Sequence, residues 1–201
     1  DLHSDSVHAG DWCACPDFCY WKAPLFELDG KTIGIIGFGS IGQKVAHIAE
    51  SFGMNVLFNS RSKKDTSDFK TAKQVALDYL LENSDFVSCH CPLTNETENI
   101  INKENLNKMK KSAYLINTSR GPVVDEQALA DALNSGKIAG AALDVLKAEP
   151  ANPANPLLSA ENCIITPHIA WAAKETRQRL LNILDKNIES CINGNPQNKV
   201  N

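Results

Sequence analysis

The chain has 201 residues, an apolar content of 43% and a net charge of −4. This length suits one large domain with a sizeable core, and the weakly acidic balance excludes the global basic field expected of a nucleic-acid-binding protein. No apolar run approaches the roughly 18–20 residues that cross a bilayer, and the first ten residues lack a signal-peptide pattern, so we expect a soluble, cytoplasmic protein without nucleic-acid or membrane partners.

The first 28 residues lack a clear hydrophobic period and are predicted to form an arm or connecting segment. The N-terminal region holds two of the three tryptophans, three cysteines and two prolines. From Lys31 onward, short apolar runs alternate with segments whose apolar residues recur at helical spacing. The predicted strands are 31–37, 54–59, 85–91, 112–118, 137–145 and 162–167, and the predicted helices are 40–53, 71–84, 103–110, 125–136 and 174–194.

These elements alternate as β-α-β-α-β, and the strands are apolar along almost their whole length. Such strands are typical of a parallel sheet that helices cover on both faces. The sequence therefore predicts an α/β fold with a doubly wound, Rossmann-type parallel sheet over residues 29–171. Residues 1–28 form the arm, and residues 172–201 form a C-terminal helix and tail.

The seven cysteines are expected to be reduced structural thiols. Their number is odd and the chain is not small, which argues against a disulfide framework. Cys13 and Cys15, like Cys89 and Cys91, are spaced C-x-C, whereas zinc knuckles usually use C-x-x-C. The stretch 85–92 is predicted to contain a buried strand, whose alternate side chains point to opposite faces, so we expect no metal site.

The stretch "GFGSIG" places Gly37, Gly39 and Gly42 in G-x-G-x-x-G spacing. It follows a predicted strand, opens a predicted helix and lies in a βαβ unit of about thirty residues, the context that marks a dinucleotide site. Gly37 permits the tight turn, Gly39 lets the backbone approach a pyrophosphate, and Gly42 allows close packing. The helix N-terminus offers N–H groups and the positive end of its dipole. The alternative is a glycine-rich turn without a ligand.

The second strand leads to Ser60, the position at which an acidic residue usually holds the adenosine ribose, about twenty residues after the glycines. Ser60 cannot replace that carboxylate. It and the following Arg61, Ser62 and Lys63 supply hydroxyl groups and cations where the 2′-phosphate of NADP would lie. The pattern favours NADP over NAD, the alternative being a solvated basic loop with NAD bound without the acid.

Three polar residues, Arg120, Glu149 and His168, follow predicted strands at the end where open α/β sheets bind ligands. Taken singly, each could be a solvated surface group. Together they form the set that reduction of a 2-keto acid needs. Arg120 would bind the carboxylate and polarise the keto oxygen, His168 would donate the proton, and Glu149 would orient His168.

Five stretches, spread over almost the whole chain, point to one family: "GKTIGIIGFGSIGQKVA", "DFVSCHCPLTNETENIIN", "LINTSRGPVVDEQAL", "AALDV" with the following Glu149-Pro150, and "TPHIAW". In these stretches the sequence resembles the D-isomer-specific 2-hydroxyacid dehydrogenases. In "PDFCYW", "HIAW" and "NGNPQNKVN" it is most similar to glycerate dehydrogenases, also called hydroxypyruvate reductases, with phosphoglycerate dehydrogenases and other 2-keto acid reductases as close alternatives.

The resemblance implies an NAD(P)-dependent oxidoreductase acting on a small 2-hydroxy or 2-keto acid, with Arg120, Glu149 and His168 as its catalytic residues. It also implies a homodimer formed by the cofactor domain and the arm. Trp171 could wall the substrate pocket or pack in the core. The implied cofactor contacts are Ser40 and Ile41 to the pyrophosphate, Cys91, Pro92 and Thr97 along the adenosine and nicotinamide path, and Thr118 and Asp144 at the nicotinamide end. The implied dimer anchors are Trp12, Phe18, Tyr20 and Trp21.

Members of the family are longer, and a substrate-domain segment precedes the part that matches here. We therefore expect half of the active-site cleft to be absent, so that the 201-residue chain binds dinucleotide but reduces hydroxypyruvate poorly. A cleaved or engineered piece and a naturally short protein are both compatible with the sequence. A non-catalytic redox-sensing module and an S-adenosyl-ligand protein are the competing functions, and the complete Arg120, Glu149 and His168 set argues against both.

Overall fold

The computed structural model describes residues 2–199. The described part contains one sheet of seven parallel strands. The strands are β1 (Thr32–Ile36), β2 (Asn55–Asn59), β3 (Lys73–Gln74), β4 (Phe86–Cys89), β5 (Tyr114–Asn117), β6 (Gly140–Leu143) and β7 (Cys163–Ile165). Their order across the sheet is β3-β2-β1-β4-β5-β6-β7. The predicted doubly wound parallel sheet is confirmed.

Within the described residues, seven α-helices accompany these strands. Asp125 begins the helix before β6 as predicted, because its carboxylate accepts a hydrogen bond from the Ala128 amide at 3.0 Å. Two short 3-10 helices, Gly121–Val123 and Pro156–Ser159, follow β5 and β6. The α-helices are α1 (Leu2–His8), α2 (Asp11–Ala14), α3 (Ser40–Ser51), α4 (Leu77–Asn83), α5 (Lys103–Lys108), α6 (Glu126–Asn134) and α7 (Lys174–Ile192).

The apolar interior forms two clusters on opposite faces of the sheet. Ile35 belongs to the cluster that packs β1 and β2 against α3, and Ile36 belongs to the cluster that packs β4–β6 against α4–α6. Successive residues of a strand point to opposite faces, so these two neighbours fix the clusters on the two sides. Helices therefore pack on both faces of the sheet around β1, which explains why this central strand is apolar at nearly every position.

The prediction of one helix over 71–84 is wrong in its first part. Lys73 and Gln74 form the edge strand β3, paired with β2, and α4 begins only at Leu77. Side chains reinforce the pairing, since the Asn59 amide donates to the Val75 carbonyl at 3.0 Å. Pairing with β2 thus overrides a helix-compatible local sequence.

The two ends of the described chain leave apolar side chains exposed. Phe18 in the arm is 90% exposed, and Trp12 and Trp21 are also exposed. Most apolar residues of α7 face solvent as well, Leu184 and Ile192 among them. Among residues 2–199, no helix combines the length and apolarity needed to cross a bilayer.

Candidate functional site

The order of the strands places a cleft between β1 and β4. From β1 the chain builds the sheet outward through β2 and β3, and from β4 it builds the other half through β5, β6 and β7. The loops at the carboxyl ends of β1 and β4 therefore diverge, and a cleft opens between them. Nearly all the predicted site residues follow the carboxyl ends of strands. The cleft has two ends, here called the ribose end, beyond β1, β2 and β4, and the catalytic end, beyond β5, β6 and β7.

The glycine turn after β1 is shaped by close contacts at two of its three glycines. Gly37 has φ of 96°, and a Cβ there would lie 2.5 Å from the Cys91 backbone nitrogen. A Cβ on Gly42 would lie 2.3 Å from the Gly37 carbonyl oxygen. A Cβ on Gly39 would meet nothing within 4 Å, and no side chain caps the first turn of α3. The open space at Gly39 and the uncapped amides fit a pyrophosphate.

A cavity of about 360 Å³ occupies the ribose end. It brings together Ser60 and Arg61 with Cys91, Pro92 and Thr97, five residues predicted to contact the cofactor. Lys64 lines this cavity, whereas Lys63 does not. The remaining lining residues are Ile36, Gly37, Phe38, Gly39, Asn59, Ser62, His90, Thr94, Glu96 and Ile100.

Glu96 is a feature of the ribose end that sequence reasoning missed. Its carboxylate Oε2 lies 3.5 Å from Arg61 Nη1, and the two side chains are 71% and 78% exposed. Glu96 follows β4, the neighbour of β1, so its position on the cleft could have been inferred only from the strand order. The Glu96 carboxylate thus lies at the ribose end of the cleft, where it pairs with Arg61, the cation predicted to bind the 2′-phosphate.

Burial and hydrogen bonding fix the loop that follows β4 and lines one side of the ribose cavity. Burial raises the pKa of the Cys91 thiol and lowers the pKa of His90, whose Nε2 lies 2.9 Å from the Ser88 hydroxyl. The Thr97 hydroxyl donates to the Pro92 carbonyl at 2.6 Å and accepts from the Thr94 amide at 2.8 Å. Thr97 therefore holds the loop after β4 in place and keeps Pro92 against the cavity.

His168 and Glu149 form a close pair at the catalytic end. His168 Nδ1 lies 2.7 Å from Glu149 Oε2, and the Leu146 amide donates to Glu149 Oε1 at 3.0 Å. The hydrogen bond from His168 lowers the pKa of Glu149, and the Leu146 amide and the charge of Arg120 lower it further against the effect of burial. The structure thus brings Glu149 and His168 into contact, while Arg120 affects Glu149 only through its charge, the smallest of the contributions to the lowered pKa.

A buried carboxylate, Asp144, holds the turn that carries His168. Its Oδ1 accepts hydrogen bonds from the Thr166 hydroxyl at 2.5 Å and the Ile169 amide at 2.9 Å, and Oδ2 accepts from the Ala170 amide at 2.8 Å. Although burial opposes it, these bonds lower the pKa of Asp144. Three of about four acceptor positions on the carboxylate are therefore used within the chain.

Asn117 holds the turn that carries Arg120 and was also missed from the sequence. Its side chain is buried at the end of β5, where Oδ1 accepts from the Ser119 amide at 3.0 Å and Nδ2 donates to the Arg120 carbonyl at 2.9 Å. The only signal for it in the sequence is a polar residue at the end of an apolar strand. Arg120 itself is exposed and donates from Nη1 to the Ser119 carbonyl at 2.7 Å.

Two further cavities adjoin these residues. One of about 590 Å³ is lined by Asp144, Glu149 and His168 together with apolar side chains. The other, of about 330 Å³, is lined by Thr118 and Asp144. Ser40 and Ile41 lie apart from all three cavities, exposed at the first turn of α3. Trp171 is largely exposed, so the alternative of core packing is wrong for it, and it lines neither cavity.

All seven cysteines are free thiols. Cys89, at the end of β4, is fully buried, and burial raises the pKa of its thiol. Among residues 2–199, no cluster of three or more His, Cys, Asp or Glu side chains has the geometry to hold a metal ion.

Comparison with known proteins identifies one family. Residues 2–170 match the model of the D-isomer specific 2-hydroxyacid dehydrogenase NAD binding domain. The chain is 52% identical over 199 residues to a hydroxypyruvate reductase from Blautia hydrogenotrophica, and 44% identical over 200 residues to a glycerate dehydrogenase from Methylorubrum extorquens. These alignments cover 99% and 98% of this chain, which spans 62% of the length of each relative.

Two solved structures bear on the cofactor. D-lactate dehydrogenase from Aquifex aeolicus, complexed with NAD and lactic acid, has a TM-score of 0.83 and 33% identity, over 96% of this chain and 61% of that one. An acyclic imino acid reductase (Bsp5), in complex with NADPH and D-Arg, has a TM-score of 0.80 and 37% identity, over 96% of this chain and 62% of that one. Nicotinamide dinucleotides of both kinds therefore occur among the structural relatives.

Proposed function

We propose that this chain, which belongs to the D-isomer-specific 2-hydroxyacid dehydrogenase family, binds NADP(H) and carries the acid–base group for hydride transfer to and from a small 2-hydroxy or 2-keto acid. The observation that carries the proposal is the 2.7 Å contact between His168 Nδ1 and Glu149 Oε2 beside an open cavity. Glycerate and hydroxypyruvate are the proposed substrate pair, because the two relatives above are named for them.

His168 is the proposed proton donor. With Nδ1 hydrogen bonded to Glu149, Nε2 is left free to donate a proton to the keto oxygen of the substrate. A nicotinamide held in the cleft would supply the hydride. In the oxidation direction the same nitrogen accepts the proton from the hydroxyl group. The lowered pKa of Glu149 keeps its carboxylate ionised, so it can accept the hydrogen bond from Nδ1 and orient the ring.

Arg120 is the proposed substrate anchor. Its guanidinium has five N–H donors in a planar fork, a shape that suits a substrate carboxylate and the adjacent keto oxygen. The contribution of its charge to the pKa of Glu149 supports a location beside the acid–base pair. A complete Arg120, Glu149 and His168 set also supports an enzyme rather than a non-catalytic redox-sensing module.

The cofactor is proposed to lie along the cleft with its pyrophosphate at the glycine turn. The open space at Gly39 supports this placement. The proposed contacts are Gly37, Gly39, Ser40, Ile41 and Gly42 to the pyrophosphate, Ser60 and Arg61 to the ribose, Cys91, Pro92 and Thr97 along the wall after β4, and Thr118 and Asp144 at the nicotinamide. Asp144 already accepts three hydrogen bonds, and the nicotinamide carboxamide would donate a fourth.

NADP is the proposed form because the ribose cavity is lined by cations. Arg61 and Lys64 both line it, and Ser60 occupies the position at which a carboxylate would repel a 2′-phosphate. Glu96 is the one acidic group in the lining, and it is paired with Arg61. The complex of the imino acid reductase with NADPH supports this choice, and the complex of the lactate dehydrogenase with NAD gives the alternative.

Titration of the chain with NADH and NADPH, followed by nicotinamide fluorescence, tests the cofactor function. We expect both to bind and NADPH to bind more tightly, and absence of both signals would defeat the proposal. The chemical role is tested with His168→Asn in the protein that carries this chain. Hydroxypyruvate reduction should fall by a factor of about 10² or more while NADPH binding is retained. Unchanged turnover in this variant would exclude His168 as the proton donor.

We propose a homodimer formed through the arm and the cofactor domain. The exposed Trp12, Phe18 and Trp21 in the arm support it, as do the exposed Ile48 of α3 and Phe52 directly after that helix. Tyr20, another predicted anchor, hydrogen bonds to Ser6 within the arm. Light scattering at micromolar concentration should give twice the chain mass, and a monomeric mass would contradict the proposal.

A cytoplasmic location and the division into residues 1–28, 29–171 and 172–201 are also proposed. Seven free thiols suit a reducing compartment. The exposed side chains at both ends of the described chain support segments distinct from the central sheet. Cell fractionation checks the location, and limited proteolysis should cut first near residues 28 and 172 if the division is correct.

A further inference from the structure

The loop that follows β2, residues 60–64 and here called the ribose loop, lacks the usual backbone support. Among residues 2–199, none of its amides or carbonyls forms a backbone-to-backbone hydrogen bond. It nevertheless supplies Ser60, Arg61, Ser62 and Lys64 to the ribose cavity. A loop of this kind needs another source of order if its side chains are to meet a ligand in one arrangement.

One side chain, Gln74 of β3, supplies that order. Its Nε2 donates to the Ser60 carbonyl at 2.9 Å and to the Ser62 carbonyl at 3.1 Å. Its Oε1 accepts from the Lys64 amide at 3.2 Å. The orientation of the amide follows from chemistry, since two carbonyls require a donor and an N–H requires an acceptor. Gln74 therefore bonds to both ends and the middle of the ribose loop.

The position of Gln74 is itself fixed by the sheet. It pairs with Phe58 in the register of β3 and β2, two residues before the ribose loop begins. Gln74 does not line the ribose cavity, so it would act on a ligand only through the loop. The other contact of the loop across the cavity, between Arg61 and Glu96, joins two highly exposed side chains and contributes little order.

We propose that Gln74 is a positioning residue for cofactor selection, holding the ribose loop so that Ser60, Arg61 and Lys64 converge on the 2′-phosphate. The proposal rests on the NADP(H) function proposed above. A released loop would spend less time in the binding arrangement, and the apparent dissociation constant rises in inverse proportion to that fraction. NADPH should lose more affinity than NADH, because only NADPH carries the 2′-phosphate.

The test uses Gln74→Met, which keeps the length of the side chain and removes all three hydrogen bonds without adding charge. Gln127→Met is the matched control, since Gln127 is an exposed glutamine of α6 whose side chain donates to Asp131 and contacts no part of the ribose loop. Two measurements are made on each variant and on the unaltered chain. They are hydrogen exchange of the Lys64 amide by NMR and the dissociation constants of NADPH and NADH by nicotinamide fluorescence.

We expect Gln74→Met to speed exchange of the Lys64 amide and to weaken NADPH binding about tenfold, the loss expected if the loop keeps its binding arrangement about a tenth of the time. NADH binding should weaken less, and Gln127→Met should change none of these values. The proposal would be overturned if the exchange rate of the Lys64 amide stayed the same. It would also be overturned if exchange became faster but the ratio of the NADPH and NADH dissociation constants did not change. If the unaltered chain binds neither nucleotide, the proposed cofactor function fails, and the exchange result still decides whether Gln74 holds the loop.

Discussion

The two ends of the cleft are built in different ways. At the catalytic end, Asp144 and Asn117 are 5% and 1% exposed, and their side chains hydrogen bond to the turns that carry His168 and Arg120. At the ribose end, Arg61 and Glu96 are mostly exposed, and a single glutamine bonds to the loop. Buried side chains therefore position the catalytic end of the cleft, whereas exposed side chains position the ribose end.

This difference matches what each end is proposed to do. Proton transfer requires donor and acceptor within hydrogen-bonding distance, so the atoms that place His168 must be fixed. Selection between NAD and NADP depends mainly on the sign of the charge near one ribose hydroxyl, which an exposed side chain can provide. The reaction class should thus resist surface substitutions, whereas cofactor choice should respond to them.

The largest expected effect is that of Asp144→Ala at the catalytic end. The substitution leaves the Thr166 hydroxyl and the Ile169 and Ala170 amides without their charged acceptor. The free energy of unfolding should fall by about 3 kcal/mol, as measured by denaturant titration. The control Asp131→Ala removes an exposed carboxylate of α6 and should cost less than about 0.5 kcal/mol. Equal losses in the two variants would show that the buried hydrogen bonds of Asp144 do not stabilise the catalytic end.

Arg61→Ala should affect cofactor choice and leave stability nearly unchanged. Loss of one charge-assisted hydrogen bond to a phosphate should lower the NADPH to NADH affinity ratio about tenfold. The matched control is Lys63→Ala, which removes a neighbouring cation that does not line the cavity. If Arg61→Ala leaves the ratio unchanged, the basic run is only a solvated loop.

His168→Asn should change the titration of Glu149. Asparagine tolerates the positive φ of 53° at this position, and its shorter side chain should not reach the carboxylate. Because the bond from His168 is the largest cause of the lowered pKa, the pKa of Glu149 should rise toward its ordinary value of 4.5. Carboxyl ¹³C chemical shifts followed against pH measure it directly.

The same variant gives a test through stability. A carboxyl whose folded pKa is lowered adds stability above its unfolded pKa, and this contribution is lost as the pH falls through the folded value. The stability difference between the unaltered chain and His168→Asn should therefore narrow as the pH falls below 4.5. A difference that is constant with pH would show that the contact with Glu149 does not contribute.

The smallest expected effect is that of Glu96→Gln. Removing the partner of Arg61 frees the guanidinium for a 2′-phosphate and removes a repelling charge. Exposed ion pairs are worth about 1 kcal/mol at most, so the NADPH to NADH ratio should rise about threefold. Glu98→Gln, which removes an exposed carboxylate two residues away, is the control. A fall in the ratio would mean that Glu96 positions Arg61 and does not compete with the phosphate.

Much of this molecule could be predicted from local patterns. The apolar strands and the Asp125 cap are confirmed, since each depends on residues close together in sequence. The family, predicted from stretches spread along the chain, is also confirmed. The roles of Arg120, Glu149 and His168 stay predictions, although the structure brings Glu149 and His168 into contact. The edge strand β3 was predicted wrongly because its two residues take their conformation from pairing with β2.

The sequence by itself determined the doubly wound sheet, the glycine turn and the set of polar residues at the strand ends, because hydrophobic periodicity and residue spacing encode them directly. Only the tertiary structure decided how those residues are held. Asp144 accepts a hydrogen bond from the Ile169 amide, 25 residues away in sequence, and Gln74 donates to the Ser60 carbonyl, 14 residues away. Arg61 and Glu96 form an ion pair between loops that follow different strands. Such hydrogen bonds and ion pairs depend on strand order and register, which no local pattern contains.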